Sequence, residues 1–253
     1  MAEPVKVYWQ PGCTSCLRVK EFLDANGIDF ISVNVAAEEA GWDELARLGL
    51  RSVPVVAQGE HYVFAQVLGT VSEFLGLGAA DGPRLAPAAL VTRLSLILET
   101  ACRLVAQVPE NRRDDGLPGR DRSLHGLAYH IFQIPEVFLA CQTGATLTYE
   151  ALDASAPKHL ASMADIAVYG ADIGARLAAW WEGEADCDAA RTLATYFGEH
   201  SLHVVLERTT WHSAQHTRQL AMMLESLGIA PNRPLDAAAL VGLPLPAKVW
   251  EAA

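Results

Sequence analysis

Two sets of residues in this chain have the types and spacing to do chemistry. The first is Cys13-Thr14-Ser15-Cys16, where a short β-rich run, Val5 to Trp9, hands over to a helical pattern. A thiol at that junction faces the free N–H groups and the positive end of a helix, which favours the reactive thiolate. Cys16 follows one turn later, placed to resolve a mixed disulfide formed on Cys13. Half of a structural zinc site is the bland alternative, but no second CxxC or nearby Cys/His pair completes it. The second set is histidine. His212 and His216 stand four residues apart in ERTTWHSAQHTRQL, so on a helix they lie within about 40° of each other and can grip one ion. A third ligand has to come from elsewhere. His130, in RSLHGLAYHIFQIPEVF, falls mid-helix on the side of Leu124, Leu127 and Ile134, where an isolated histidine is more often a hydrogen-bonded core residue. Gln215 and Arg218 flank the pair, either as supports or as surface residues. His125, five residues before His130, points about 140° away, and His61, His159, His200 and His203 carry no ligand pattern.

The elements that must position these residues fall into two styles. Up to Leu75 the chain reads β-α-β-α-β-β-α: Val5 to Trp9, a helix from Cys13 to Ala25, Ile28 to Val35, a helical stretch from Ala37 to Gly49, a hairpin turning at Gly59-Glu60, and a closing helix from Val67. That order makes a small α/β layer fold over residues 1–78. Residues 79–87 lie in a Gly-, Pro- and Ala-rich linker. Beyond it strand signals almost vanish. Amphipathic helices are expected over Ala88–Val108, Ser123–Gln142, Pro157–Trp181 and Ser201–Leu227, which together predict a four-helix bundle over residues 88–228. The tail, 229–253, with four prolines from Ala230 onward, reads as irregular surface chain.

Composition narrows the function. Among 253 residues, 51% are hydrophobic and 19% charged, a mixture that folds rather than stays disordered. A formal charge of -11 with no basic stripe argues against a nucleic-acid partner. No apolar run approaches the roughly 18 residues of a membrane span, and MAEPVKVYWQ lacks the layout of a signal peptide, so a cytoplasmic location without a membrane partner is expected. Five cysteines, an odd number, fit a reducing compartment; Cys102, Cys141 and Cys187 are scattered singly and read as small apolar or solitary thiols.

The segment QPGCTSCLRVKEFLDANGIDFISVNV resembles the active-site turn, helix and second strand of the glutaredoxins, in the thioredoxin-like fold. That resemblance implies a cis-proline at Ser52-Val53-Pro54 opposite the cysteines, with Val53 and Pro54 forming the glutathione or substrate-binding backbone and Cys13 acting as nucleophile. The chain departs from the family in carrying CTSC, and in having FAQVLG, Phe64 to Gly69, where the family's glycine-rich, aspartate-containing glutathione site falls. Residues from about 88 to 228 resemble the DinB family, an up-down four-helix bundle of metal-dependent proteins whose first histidine lies mid-helix two and whose other two form H-x3-H on the last helix. The resemblance implies that His130, His212 and His216 hold a divalent metal, with zinc, nickel and iron(II) all suited to such a set. DinB-like proteins are often dimers, so a homodimer enters the expectations.

Together these give a multidomain α/β plus all-α chain whose two sites form a thiol-dependent metalloenzyme. Its partners would be glutathione or another small thiol and an electrophilic or disulfide substrate. The alternative is a glutaredoxin-type disulfide oxidoreductase carrying a metal-binding or sensing module without catalysis of its own, or a stress protein without catalysis at all.

Overall fold

Val5–Trp9 (β1) alternates its side chains between two packed faces, and that alternation sets the architecture of the first unit. Val5 and Val7 join Val19, Leu23, Val56 and Val71 in one apolar cluster; Tyr8 joins Val33, Leu45, Val55 and Ala57 in the other. A strand buried on both faces is a central strand, and β1 is one. It pairs in parallel with β2 (Phe30–Asn34), Val7 opposite Ser32, and antiparallel with β3 (Val55–Gln58), Val7 opposite Val56. The hairpin partner β4 (His61–Phe64) completes the order β2-β1-β3-β4. Helices α1 (Thr14–Ala25) and α3 (Leu68–Phe74) supply Val19, Leu23 and Val71 to the first cluster, while α2 (Glu39–Arg47) supplies Leu45 to the second. Each fully buried valine or leucine contributes about 1.5–3 kcal/mol.

This computed structural model describes residues 3–78, 84–184 and 188–251; Cys187 and residues 79–83 of the expected linker lie outside them. The chain divides into two units, one of Met1–Gly82 with Pro118–Asp121 and Pro246–Ala253, the other of Pro83–Leu117 with Arg122–Leu245. Part of the expected bundle and the last part of the expected tail therefore group with the first unit. Within that unit the tail is anchored: Glu21 accepts hydrogen bonds from the backbone N–H groups of Ala247 and Lys248 at 2.7 and 3.1 Å, and Lys20 pairs with Glu251 at 2.8 Å. Gly12, at φ +66°, leaves room for the Trp250 ring, which a Cβ there would meet at 2.4 Å.

The second unit is helical. Its long helices are α4 (Pro87–Val105), α5 (Leu124–Cys141), α7 (Met163–Gly183) and α8 (Leu202–Ser226), with short α6 (Tyr149–Asp153) and α9 (Ala237–Leu240). Two small hairpins, β5 (Gly116–Leu117) with β6 (Arg120–Ser123) and β7 (Thr192–Thr195) with β8 (Gly198–Ser201), lie where no strand was expected. The third long helix starts at Met163 and not at Pro157, because Ser162 and Asp165 close a capping box there.

Each of α4 and α5 packs against both α7 and α8. The strict up-down alternation expected from the sequence gives way to a different order of directions. Tyr129 stacks on Tyr169 and Phe138 meets Trp180, so α5 and α7 run the same way. The Leu85 carbonyl meets His203 at one end and Gln107 meets the Ala230 carbonyl at the other, so α4 and α8 also run the same way. The connection between α5 and α7 is long enough to carry the chain back along the bundle. At the α5–α7 contact, Gly170 lets Phe132 approach where a Cβ would fall 2.5 Å from its ring.

Candidate functional sites

Cys13 is the N-cap of α1, and its Sγ accepts the N–H of Cys16 at 3.2 Å. The two cysteines are joined as a disulfide, with Cα atoms 5.2 Å apart. Cys16 is 1% exposed and Cys13 half-buried, so in the dithiol form Cys13 is the sulfur a substrate reaches. The amide that points at Sγ, together with the helix dipole, stabilises negative charge on it. The Val53–Pro54 bond is cis, and Val53 packs in the same cluster as Cys16, with Cys13 against it. Strand β3 begins at Val55, so the backbone of Val53 stands outside the ladder, where it can meet an extended ligand.

The three histidines that the sequence sets on separate turns converge. One ring nitrogen each of His130, His212 and His216 lies within 4.8 Å of the others, and all three residues are buried. The Nε2 atoms of His212 and His216 are 3.1 Å apart. Two imidazole nitrogens at about 2.0–2.1 Å from one tetrahedral cation would stand about 3.3 Å apart, so the spacing fits a shared ion. Gln133 and Gln219, each three residues after its histidine, accept from Nδ1 of His130 at 2.8 Å and of His216 at 2.6 Å. The amide of Gln133 can face only one way, because its Nε2 donates to the carbonyls of Ala151 and Ala154. Its oxygen therefore fixes the proton of His130 on Nδ1 and leaves a lone pair on Nε2, which is how metal-binding imidazoles are held.

His212 differs. Its Nδ1 is buried without a hydrogen-bond partner among the described residues, and burial pushes its pKa well below the ordinary imidazole range, helped by His216, Arg208, His130 and Arg122. A neutral ring presenting a nitrogen to two others is what a divalent cation needs, and the donor set fits one.

The register that brings α5 to α8 has its own cause. Pro135 has no N–H, so the carbonyl of Ile131, four residues earlier, loses its helical donor. Ser213 of α8, fully buried, supplies that donor through Oγ at 3.1 Å. The repair ties the two helices together one residue from His130 and one from His212.

Gln215 and Arg218, expected either as supports or as surface residues, bond to each other at 2.6 Å, and Gln215 is fully buried. The glutamines that accept from the clustered rings are others, Gln133 and Gln219; the spacing H-x2-Q recurs at all three histidines, Gln215 included, so spacing alone does not separate them. His125 and His203 bond the carbonyls of Leu160 and Leu85, and His200 lies against Phe197, so none of these joins the cluster. Burial raises the thiols of Cys102, to about 11, and of Cys141, which keeps both protonated and unreactive.

No helix among the described residues is long and apolar enough to cross a membrane. Residues 5–63 match the glutaredoxin family model. The Gene 56 protein of Mycobacterium phage L5 is 48% identical over 59 residues, 23% of this chain and 57% of the phage protein. An uncharacterized glutaredoxin-like 8.6 kDa protein in the rubredoxin operon of Clostridium pasteurianum is 40% identical over 53 residues, 21% of this chain and 71% of that protein. The cis Val53–Pro54 bond, the dithiol at the head of α1 and these similarities agree: through its N-terminal domain the chain belongs to the glutaredoxin family.

Proposed function

We propose that the chain is a thiol-dependent metalloenzyme, in which a DinB-like helical unit carries transferase or isomerase chemistry at a three-histidine centre and the glutaredoxin domain serves it with thiol redox chemistry. The observation that carries this reading is the convergence of His130, His212 and His216 in a buried site, with Gln133 and Gln219 committing two of the Nδ1 atoms. Three neutral imidazoles leave coordination positions open, as in catalytic rather than closed structural sites. When bound there, zinc, nickel or iron(II) would act as a Lewis acid and hold a small thiol as its thiolate at neutral pH. The chain's own part is to keep the His212 ring neutral, to orient those of His130 and His216, and to exclude water with the buried Ile131 and Trp211.

At the other site Cys13 attacks one sulfur of a disulfide and expels the second as a thiol, leaving a mixed disulfide. Cys16 then attacks Sγ of Cys13, releases the bound half as a second thiol, and closes the disulfide seen between them. Two electrons pass to the substrate, and two molecules of glutathione, or of another small thiol, restore the dithiol. The backbone of Val53 aligns the ligand alongside.

A second reading keeps only the disulfide reductase and leaves the helical unit to bind or sense metal; the confinement of the family match to residues 5–63 favours it. One experiment separates the two. Purified protein is analysed for metals, then glutathione and a panel of electrophiles are supplied to the wild type, His212→Ala and Cys13→Ser. Turnover lost in His212→Ala, with disulfide reduction kept, supports the metalloenzyme; equal turnover removes the metal from the reaction. Cys13→Ser is expected to abolish disulfide reduction.

A further inference from the structure

Among the described residues, Arg208 is the one Lys, Arg, Asp or Glu that is buried, at 4% exposure. A guanidinium withdrawn from water needs an anion or a full set of acceptors. Arg208 has neither. Of its five N–H donors, one bonds the hydroxyl of Tyr196, at 3.3 Å, and its Nε is buried with no partner. The rings of Phe197 and Tyr196, with centroids 5.0 and 6.0 Å from Cζ, hold the guanidinium without neutralising it. Its place gives the missing anion a meaning: it precedes His212 by four residues of α8, about 6 Å along the axis and on the same side of the helix.

We propose that Arg208 seats a carboxylate of the small molecule that the three-histidine centre takes, so that the ligand is an organic acid or a thiol bearing one. The assignment rests on the metal-site reading above. Arginine suits the task because its planar fork grips a carboxylate through two parallel hydrogen bonds, and its charge is fixed at any working pH. Arriving with the ligand, the carboxylate neutralises a charge that the protein alone leaves exposed to an apolar interior.

The test uses the full chain loaded with cobalt(II) and three probes. They are 3-mercaptopropionate, which carries thiol and carboxylate, 2-mercaptoethanol, which carries only the thiol, and propionate, which carries only the carboxylate. Thiol binding is read from the sulfur-to-cobalt absorption band and carboxylate binding from the shift in Tm. Wild type is expected to bind 3-mercaptopropionate about tenfold or more tightly than 2-mercaptoethanol. Alternatively, propionate raises the Tm of protein saturated with 2-mercaptoethanol; the first result places the carboxylate on the thiol, the second on a separate acid. Arg208→Met should erase whichever effect is found while cobalt uptake stays the same. It should also raise the Tm of ligand-free protein, because it removes an unpaired buried charge. A purely structural arginine, bracing Phe197 and Tyr196, would instead give a lower Tm. Arg208→Lys keeps the charge but not the fork and should lose most of the preference. Equal affinity for the two thiols with no effect of propionate, a preference that survives in Arg208→Met, or a lower ligand-free Tm in that variant overturns the proposal. If wild type takes up no cobalt, the metal reading fails by itself. The carboxylate seat is then judged on metal-free protein, by a rise in Tm with 3-mercaptopropionate that Arg208→Met lacks, and the absence of that rise overturns it.

Discussion

Gln133 is worth as much to the histidine cluster as a ligand would be, because it decides which nitrogen of His130 is free. Its amide is locked by the carbonyls of Ala151 and Ala154, so replacing it by Leu leaves the His130 ring to choose its own tautomer and tilt. Gln219 does the same for His216. Removal of such a support typically weakens metal binding by 10–100-fold. Gln133→Leu and Gln219→Leu are therefore each expected to lower zinc affinity by about that factor, measured by competition with a chromophoric chelator; unchanged affinity in both would show that the rings are held by packing alone. The three histidines that converge were legible in the sequence, His212 and His216 from spacing and His130 through a family resemblance. Their supports were not, since a glutamine three residues from a histidine becomes informative only once the ring it meets is known to face inward.

Between elements, what matters is how the register of α5 against α8 is fixed. Pro135 is the kind of residue that sequence reasoning treats as a helix breaker, yet α5 continues through it because Ser213 of the neighbouring helix donates to the carbonyl that Pro135 strands. Ser213→Ala leaves that buried carbonyl unsatisfied and is expected to cost about 1–3 kcal/mol in urea unfolding. It should also weaken zinc binding, since the bond lies beside both His130 and His212. A loss of stability without any loss of affinity would mean that the histidine geometry does not depend on this contact. The helix positions were readable from apolar periodicity; the directions of the helices and the two hairpins were not, because short strands such as Thr192–Thr195 carry no alternation long enough to register. The tail was likewise unreadable as an anchored segment. Part of its attachment is one carboxylate, Glu21, accepting two consecutive amides. Glu21→Ala is expected to speed hydrogen exchange at Ala247 and Lys248 by about tenfold or more; protection that persists would assign the anchoring to Trp250 and the Lys20–Glu251 pair instead.

For the molecule as a whole, a metal bound at the three histidines would be linked to folding through the same protons. Burial holds the pKa of His212 well below its unfolded value of about 6.5, so the folded chain resists taking a proton there that the unfolded chain accepts readily. Below about pH 6.5 the unfolded state therefore binds more protons than the native state, and stability of the metal-free protein must fall as the pH drops; above that value this histidine adds no slope. A cation that binds only the folded form adds about 2.7 kcal/mol at a free concentration one hundred times its Kd. Acid erodes that gain too, because the three imidazoles must be neutral to bind. Thermal unfolding from pH 5 to 8, with and without zinc, should thus show two curves that both descend below about pH 6.5, the zinc curve more steeply, so that the stabilisation by zinc narrows toward pH 5. His212→Ala should lessen the slope of the metal-free curve in that range, where His200, also lowered by burial, keeps part of it, and bring the zinc curve down onto it. Parallel curves, or a stabilisation by zinc that survives in His212→Ala, would place the cation on other side chains and separate the buried histidines from any metal chemistry.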